Sequence, residues 1–154
     1  MKVRITGHTK GLGKSLYNYF KNKFEDVVGF DSSNTVDEII EQSKNCDLFI
    51  NNTYTADNLQ LTLLEKLYKQ VDKMIVCGAI VSTYPDMEHK TYTDNKNLLE
   101  REFFKLASDK NETTDMLLLR LTSSSYKDSD TIINSIEFWL SNPNVISLTY
   151  NVAD

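Results

Sequence analysis

The chain has 154 residues, of which 40% are hydrophobic and 25% charged, with a formal net charge of −5 at pH 7. These totals describe one folded domain over 1–154 with enough chain for an apolar core, and they exclude compositional disorder. The acidic balance excludes general nucleic-acid binding, which needs clustered Lys and Arg, and no apolar run is long enough for a membrane span.

The opening MKVRITG lacks the apolar stretch and cleavage site of a signal peptide, so a cytoplasmic protein is expected. Val3–Ile5 is read as the first strand. Gly7, Gly11 and Gly13 follow, three of the five glycines in the chain, and open a helical pattern in which Leu12, Leu16, Tyr19 and Phe20 share a face. Val27–Phe30 is the second strand, Val36, Ile39 and Ile40 mark a short helix, and Leu48–Ile50 is the third strand. Leu59, Leu63, Leu67 and Val71 mark the next helix face, and Met74–Val76 the fourth strand. Tyr92–Ala107 is read as a helix with Leu99, Phe103 and Leu106 toward the core. Met116–Leu121 and Val145–Tyr150 are the last strands. Between them lies a helix carrying Ile132, Ile133, Ile136, Trp139 and Leu140, ended by Asn142–Pro143. The alternation predicts an α/β protein: a three-layer, doubly wound Rossmann fold, its mostly parallel sheet covered by helices on both faces. Cys46 and Cys77 have no metal-ligand spacing and are read as reduced thiols, and no metal site is expected.

Glycines between a strand and a helix meet the needs of a phosphate-binding turn. They permit unusual backbone angles and let a ligand approach the peptide plane. The N–H groups of the helix N-terminus then offer partial positive charge to a pyrophosphate. The alternative is a tight turn with no ligand. Asp31 follows the second strand, 18 positions beyond Gly13. A carboxylate there can accept both hydroxyls of an adenosine ribose and repel a 2′-phosphate, which favours NAD over NADP; an Asx-turn residue is the alternative. Lys10 argues for NADP, because a basic residue there can contact the 2′-phosphate. Tyr92 and Lys96 stand one helical turn apart on a common face. An ammonium near a phenol lowers its pKa from about 10, so the pair could move a proton at a substrate oxygen. A solvated surface pair is the alternative. His8, in the turn, and His89, in the polar loop before Tyr92, have no partner at metal or triad spacing; His8 is read as an exposed loop histidine, the alternative being a residue bordering the cofactor.

The run Thr6-Gly7-x-x-x-Gly11-x-Gly13 resembles the TGxxxGxG motif of the short-chain dehydrogenase/reductase superfamily at every fixed position. Asn51-Asn52, closing LFINN, resembles that family's NNAG segment, with Thr53-Tyr54 in place of Ala-Gly. Tyr92-Thr-Asp-Asn-Lys96 resembles its YxxxK motif. The three occur in the family's order and span nearly the whole chain. The resemblance implies an NAD(P)-dependent oxidoreductase that moves hydride between nicotinamide and a small carbonyl or alcohol substrate. It implies cofactor contacts by Thr6, Gly7, Gly11 and Gly13 at the pyrophosphate and by Asp31 at the adenosine ribose, with Asn52 lining the cleft and Thr9, Lys10, Leu12, Asn51 and Thr122 also at the cofactor. Tyr92 would be the acid–base. Lys96 would be its electrostatic partner and would also hold the nicotinamide ribose. A homodimer or tetramer through the Tyr92 helix is implied, with Leu98 and Phe104 as apolar residues off its core stripe.

The chain also departs from that pattern. The family's serine would fall at Ala79, so Ser82, with Thr83 beside it, is the carbonyl-donor candidate. Asn58 is the one asparagine in the short helix region where the family carries a catalytic asparagine. One strand on the adenine side is missing, which predicts six strands ordered 2-1-3-4-5-6. Thr122-Ser123-Ser124-Ser125 replaces a Pro-Gly turn. These departures keep open a non-catalytic dinucleotide-binding module of the same fold. The stretch DLFINNTYTAD is similar to the sugar-nucleotide reductase branch and keeps open a reductase- or epimerase-like protein.

Overall fold

The computed structural model describes residues 1–80, 90–109, 111, 113–122 and 125–150. Ser82, Thr83, His89, Ser123 and Ser124 lie outside the described residues. In chain order the elements are β1 (Val3–Thr6), α1 (Gly11–Lys23), β2 (Val27–Phe30), α2 (Val36–Ser43), β3 (Leu48–Asn51), α3 (Leu59–Leu67), β4 (Lys73–Ala79), α4 (Lys90–Ala107), β5 (Asp115–Leu121), a 3-10 turn (Ser125–Asp128), α5 (Ser129–Ser141) and β6 (Ser147–Thr149).

The strands form one sheet ordered β2-β1-β3-β4-β5-β6, and every neighbouring pair is parallel. This is the expected doubly wound sheet with the expected order. β1 is flanked by β2 and β3, with Val3 opposite both Val27 and Leu48. The connection after β1 runs out to β2 and the one after β3 runs the other way to β4, so a crevice opens at the carboxyl ends of β1 and β3.

Period-two alternation along the strands divides the core. Leu48 and Ile50 of β3, and Ile75 and Cys77 of β4, join Leu16 and Phe20 of α1 and Ile132, Ile136 and Trp139 of α5. Phe49, Met74 and Val76 point the other way, into α2, α3 and α4, where Ile39, Leu63, Leu64, Leu67, Leu99 and Phe103 meet them. Helix α2 starts on a capping box: Thr35 Oγ1 accepts from Glu38 N, and Glu38 Oε2 accepts from Thr35 N.

Some expectations need correction. The last strand is Ser147–Thr149 rather than Val145–Tyr150. It is an edge strand, paired only with Leu118–Arg120, although Val145 and Tyr150 still pack on the α1/α5 core. The buried face of α3 is Gln60, Leu63, Leu64 and Leu67, so its first core position is polar. Phe104 is no spare apolar residue for a partner: it is half-buried against the second core, with the Arg120 guanidinium 5.5 Å from its ring centroid. Leu98 is exposed, as expected.

Candidate functional site

The turn after β1 uses its three glycines for three different reasons. Gly7 has φ +74, and a Cβ there would lie 2.5 Å from Thr53 Oγ1 and 2.9 Å from Asn52 Nδ2. Gly13 lets α1 press on the turn itself, since a Cβ would come within 2.0 Å of Gly7 O. Gly11 has φ +56, and nothing stands within 4 Å of its notional Cβ. The first two glycines serve packing; the third leaves open space at the mouth of α1. Helix α1 has no side-chain cap and no acidic residue in its first turn, so among the described residues no capping side chain takes up its leading N–H groups.

That space belongs to a groove of about 720 Å³ at the β1/β3 crevice, into which Gly7, Thr9, Lys10, Gly11, Leu12, Gly13, Asp31 and Asn52 all open. Eight of the residues expected at the cofactor are thus brought together. A second cavity of about 270 Å³ adjoins it at Asp31, Ser32, Thr53 and Thr55 and runs under Phe30, Val36, Ile39 and Leu59. Its apolar wall of Phe30, Val36, Ile39 and Leu59 lies beside the Asp31 carboxylate. At Asp31, the Oδ1 atom accepts from Ser33 N at 2.8 Å and Ser33 Oγ at 2.6 Å, and these bonds hold its carboxyl below the usual range. Asp31 is therefore both an Asx-turn residue and a groove residue.

The other expected cofactor residues do not line the larger groove, although Thr6 lines the second cavity. Thr6 is buried and ties β1 to β3: its Oγ1 accepts from Asn52 N at 3.0 Å and Thr53 N at 3.1 Å. Asn51 is buried too, donating from Nδ2 to Gln60 O at 2.8 Å. Thr122 follows β5, on the far side of β4 from the crevice. Asn58 joins α3 to α4, with Nδ2 3.4 Å from Asn95 O.

Tyr92 and Lys96 do share a face of α4, but not with the expected electrostatics. Lys96 Nζ donates to Gln60 Oε1 at 2.6 Å and to Cys77 O at 2.9 Å, and burial pushes the lysine down to about 8. It sits 5.7 Å from the Tyr92 ring centroid and 5.8 Å from that of Tyr54. The Tyr92 phenol is pushed up, first by burial and then by the neighbouring Tyr54, instead of being lowered by the ammonium. Tyr54 packs edge-on to Tyr92 with centroids 4.7 Å apart and also lines the groove, so it joins the two regions.

His8 is not an exposed loop residue. Its ring lies where a Cβ on Gly29 would stand, 2.2 Å from that position, and 4.9 Å from the Tyr17 ring. Its Nδ1 is 3.1 Å from Phe30 O, which also accepts from Gly7 N at 2.9 Å. A carbonyl can only accept, so Nδ1 carries the proton. Two donors thus fix the end of β2 just before Asp31.

No protein-family model and no curated protein matches the sequence. Solved structures do. The protein lin1944 from Listeria innocua superposes with TM-score 0.75 at 12% identity, over 98% of this chain and 100% of that one. The 3-alpha-hydroxysteroid dehydrogenase from Pseudomonas sp. B-0831, complexed with NADH, gives 0.72 at 11%, over 97% and 95%. A metagenomic short-chain oxidoreductase in complex with NADP gives 0.68 at 11%, over 99% and 98%. The chain has the short-chain dehydrogenase fold. Within that fold, the sequence reading missed Gln60, Tyr54 and the His8–Gly29 contact. The signals were a glutamine in phase with Leu63, Leu64 and Leu67, and a glycine inside a four-residue strand, which marks a close approach.

Proposed function

We propose that this chain is a minimal NAD(P)-dependent oxidoreductase of the short-chain dehydrogenase/reductase superfamily that prefers NAD. The observation that carries the reading is the groove in which the uncapped start of α1, the open position at Gly11 and the Asp31 carboxylate face one space. Those features match a diphosphate linked to a ribose diol. The adjoining apolar cavity has room for the base. Bound nicotinamide would supply the hydride chemistry. Gly11 and the first N–H groups of α1 would hold the pyrophosphate, Asp31 the adenosine ribose, and Tyr54 would border the path toward Tyr92.

Tyr92 would donate a proton to the substrate oxygen. A phenol is protonated at neutral pH, the form that donates a proton in reduction of a small carbonyl. Lys96 would stand behind it, with its ammonium 5.7 Å from the Tyr92 ring centroid, and Ser82 is the proposed carbonyl donor. A second reading, a dinucleotide-binding module without chemistry, is favoured by one observation: both Lys96 bonds end on the protein itself.

Calorimetry with NAD and NADP, followed by a panel of aldehydes and ketones monitored by nicotinamide absorbance, separates the readings. The oxidoreductase binds NAD more tightly, consumes NADH with at least one carbonyl, and loses that turnover in Tyr92→Phe. Binding without turnover supports the module, and no binding removes both.

A further inference from the structure

Lys96 belongs to α4, yet both of its hydrogen bonds cross to other elements, Gln60 of α3 and Cys77 of β4. Gln60 is 1% exposed and Lys96 5%. The glutamine is fixed from its other side. Its Nε2 donates to Asn51 O at 2.9 Å and Cys77 O at 3.0 Å, while its backbone carbonyl accepts from Asn51 Nδ2 at 2.8 Å. With Nε2 committed to two carbonyls, only Oε1 is left to face the ammonium. A flipped amide would set N–H groups against the lysine's own donors and against nothing that accepts. Four elements, β3, α3, β4 and α4, thus meet in one buried polar chain in which the Gln60 amide and the Lys96 ammonium are bonded, while Asn51 Oδ1 is buried without a partner; removing a member of such a chain is costly.

We propose that Gln60 is the positioning residue for Lys96: it holds the ammonium beside the Tyr54 and Tyr92 rings. Among the described residues, the groups facing Lys96 are the Gln60 amide, the Cys77 carbonyl and thiol, and the phenols of Tyr54 and Tyr92. No carboxylate is among them. The ammonium therefore rests on neutral acceptors alone, and a change at Gln60 acts on its charge directly. What Lys96 then does for a cofactor rests on the proposed function; its coupling to Gln60 does not.

The test is a pH titration of the full chain, labelled at lysine and glutamine and followed by NMR, with the Lys96 signal assigned from its loss in Lys96→Met. In the unsubstituted protein the Lys96 Cε and Gln60 side-chain amide resonances move with one common midpoint. Gln60→Glu raises the Lys96 midpoint by about 1–3 pH units through the added opposite charge. Gln60→Met lowers it. The pH profile of NADH binding moves in the same order, with circular dichroism unchanged. Gln60 amide signals that stay fixed through the Lys96 transition overturn the proposal, and that arm needs no variant to fold. A folded Gln60→Glu with the Lys96 midpoint unmoved overturns it equally. Coupled titration in a protein that binds no NADH supports the Gln60 role and removes the oxidoreductase.

Discussion

Replacing Lys96 by Met tests the buried socket through stability. The lysine falls from its ordinary 10.5 to about 8 because burial disfavours its charged form. Below both values it is charged in the folded and unfolded chains alike, and the folded chain carries the full desolvation cost. Between them the unfolded chain binds a proton that the folded chain has released, so stability rises with pH; above both the cost is gone. At about 1.36 kcal/mol per pH unit, the gap amounts to about 3 kcal/mol, of which about 2.5 kcal/mol is recovered between about pH 7 and pH 10. The thiols work in the opposite sense. Cys46 is pushed up to about 12 and Cys77 to about 11, each mainly by burial, so stability is lost as pH rises through the usual thiol range. The Cys46 loss is common to both proteins; Cys77 also feels the Lys96 ammonium, so the difference between the proteins reports Lys96 together with that coupling. Near neutral pH, Lys96→Met escapes the desolvation cost but leaves Gln60 Oε1 bare, at about 1–3 kcal/mol. Urea unfolding read by the emission of Trp139, the single and fully buried tryptophan, measures both proteins under reducing conditions. The unsubstituted protein gains about 2.5 kcal/mol on the variant between about pH 7 and pH 10. Parallel stability–pH curves would refute the reasoning.

The remaining predictions use the same assays. Gly13→Ala forces a Cβ toward Gly7 O, 2.0 Å away, where only backbone could yield. It lowers stability by about 1–3 kcal/mol in urea unfolding, as overpacking does. Asp31→Asn keeps an acceptor for Ser33 but removes the charge that repels a 2′-phosphate. Calorimetry then gives an NADP affinity raised relative to NAD by about tenfold, or about 1.4 kcal/mol.

The sheet was legible because its evidence is local. Each strand is a short apolar run, each helix carries a periodic stripe, and α/β alternation leaves few topologies. The glycine turn was legible for the same reason, with Gly7, Gly11, Gly13 and Asp31 lying close to two strand ends. The Lys96 socket was not, because it depends on contacts between residues far apart in the chain: Lys96 lies 36 positions from Gln60 and 19 from Cys77. Gln60 also occupies a core position that an apolar pattern skips, and its place as a buried residue follows only from the carbonyls that meet it. Spacing placed Tyr92 and Lys96 on one face correctly, but burial, which spacing does not report, decided their pKa directions. Phe104 reads as exposed by helical phase alone; Arg120 of β5, itself paired with Glu100, covers it. The end of β6 was overextended because an apolar edge segment can pack on the core without pairing throughout.

The central claim is that the start of α1 receives a diphosphate, and Gly11→Asp tests it most directly. Aspartate tolerates positive φ better than most residues, and beyond its chain neighbours and the helix's own backbone no described atom stands within 4 Å of the added Cβ, so the cost is backbone strain at φ +56 while a carboxylate enters the groove. In calorimetric titrations with NAD, the unsubstituted protein binds and Gly11→Asp, with its circular dichroism unchanged, loses binding by at least about tenfold. No binding to the unsubstituted protein, or equal binding by both, contradicts the claim.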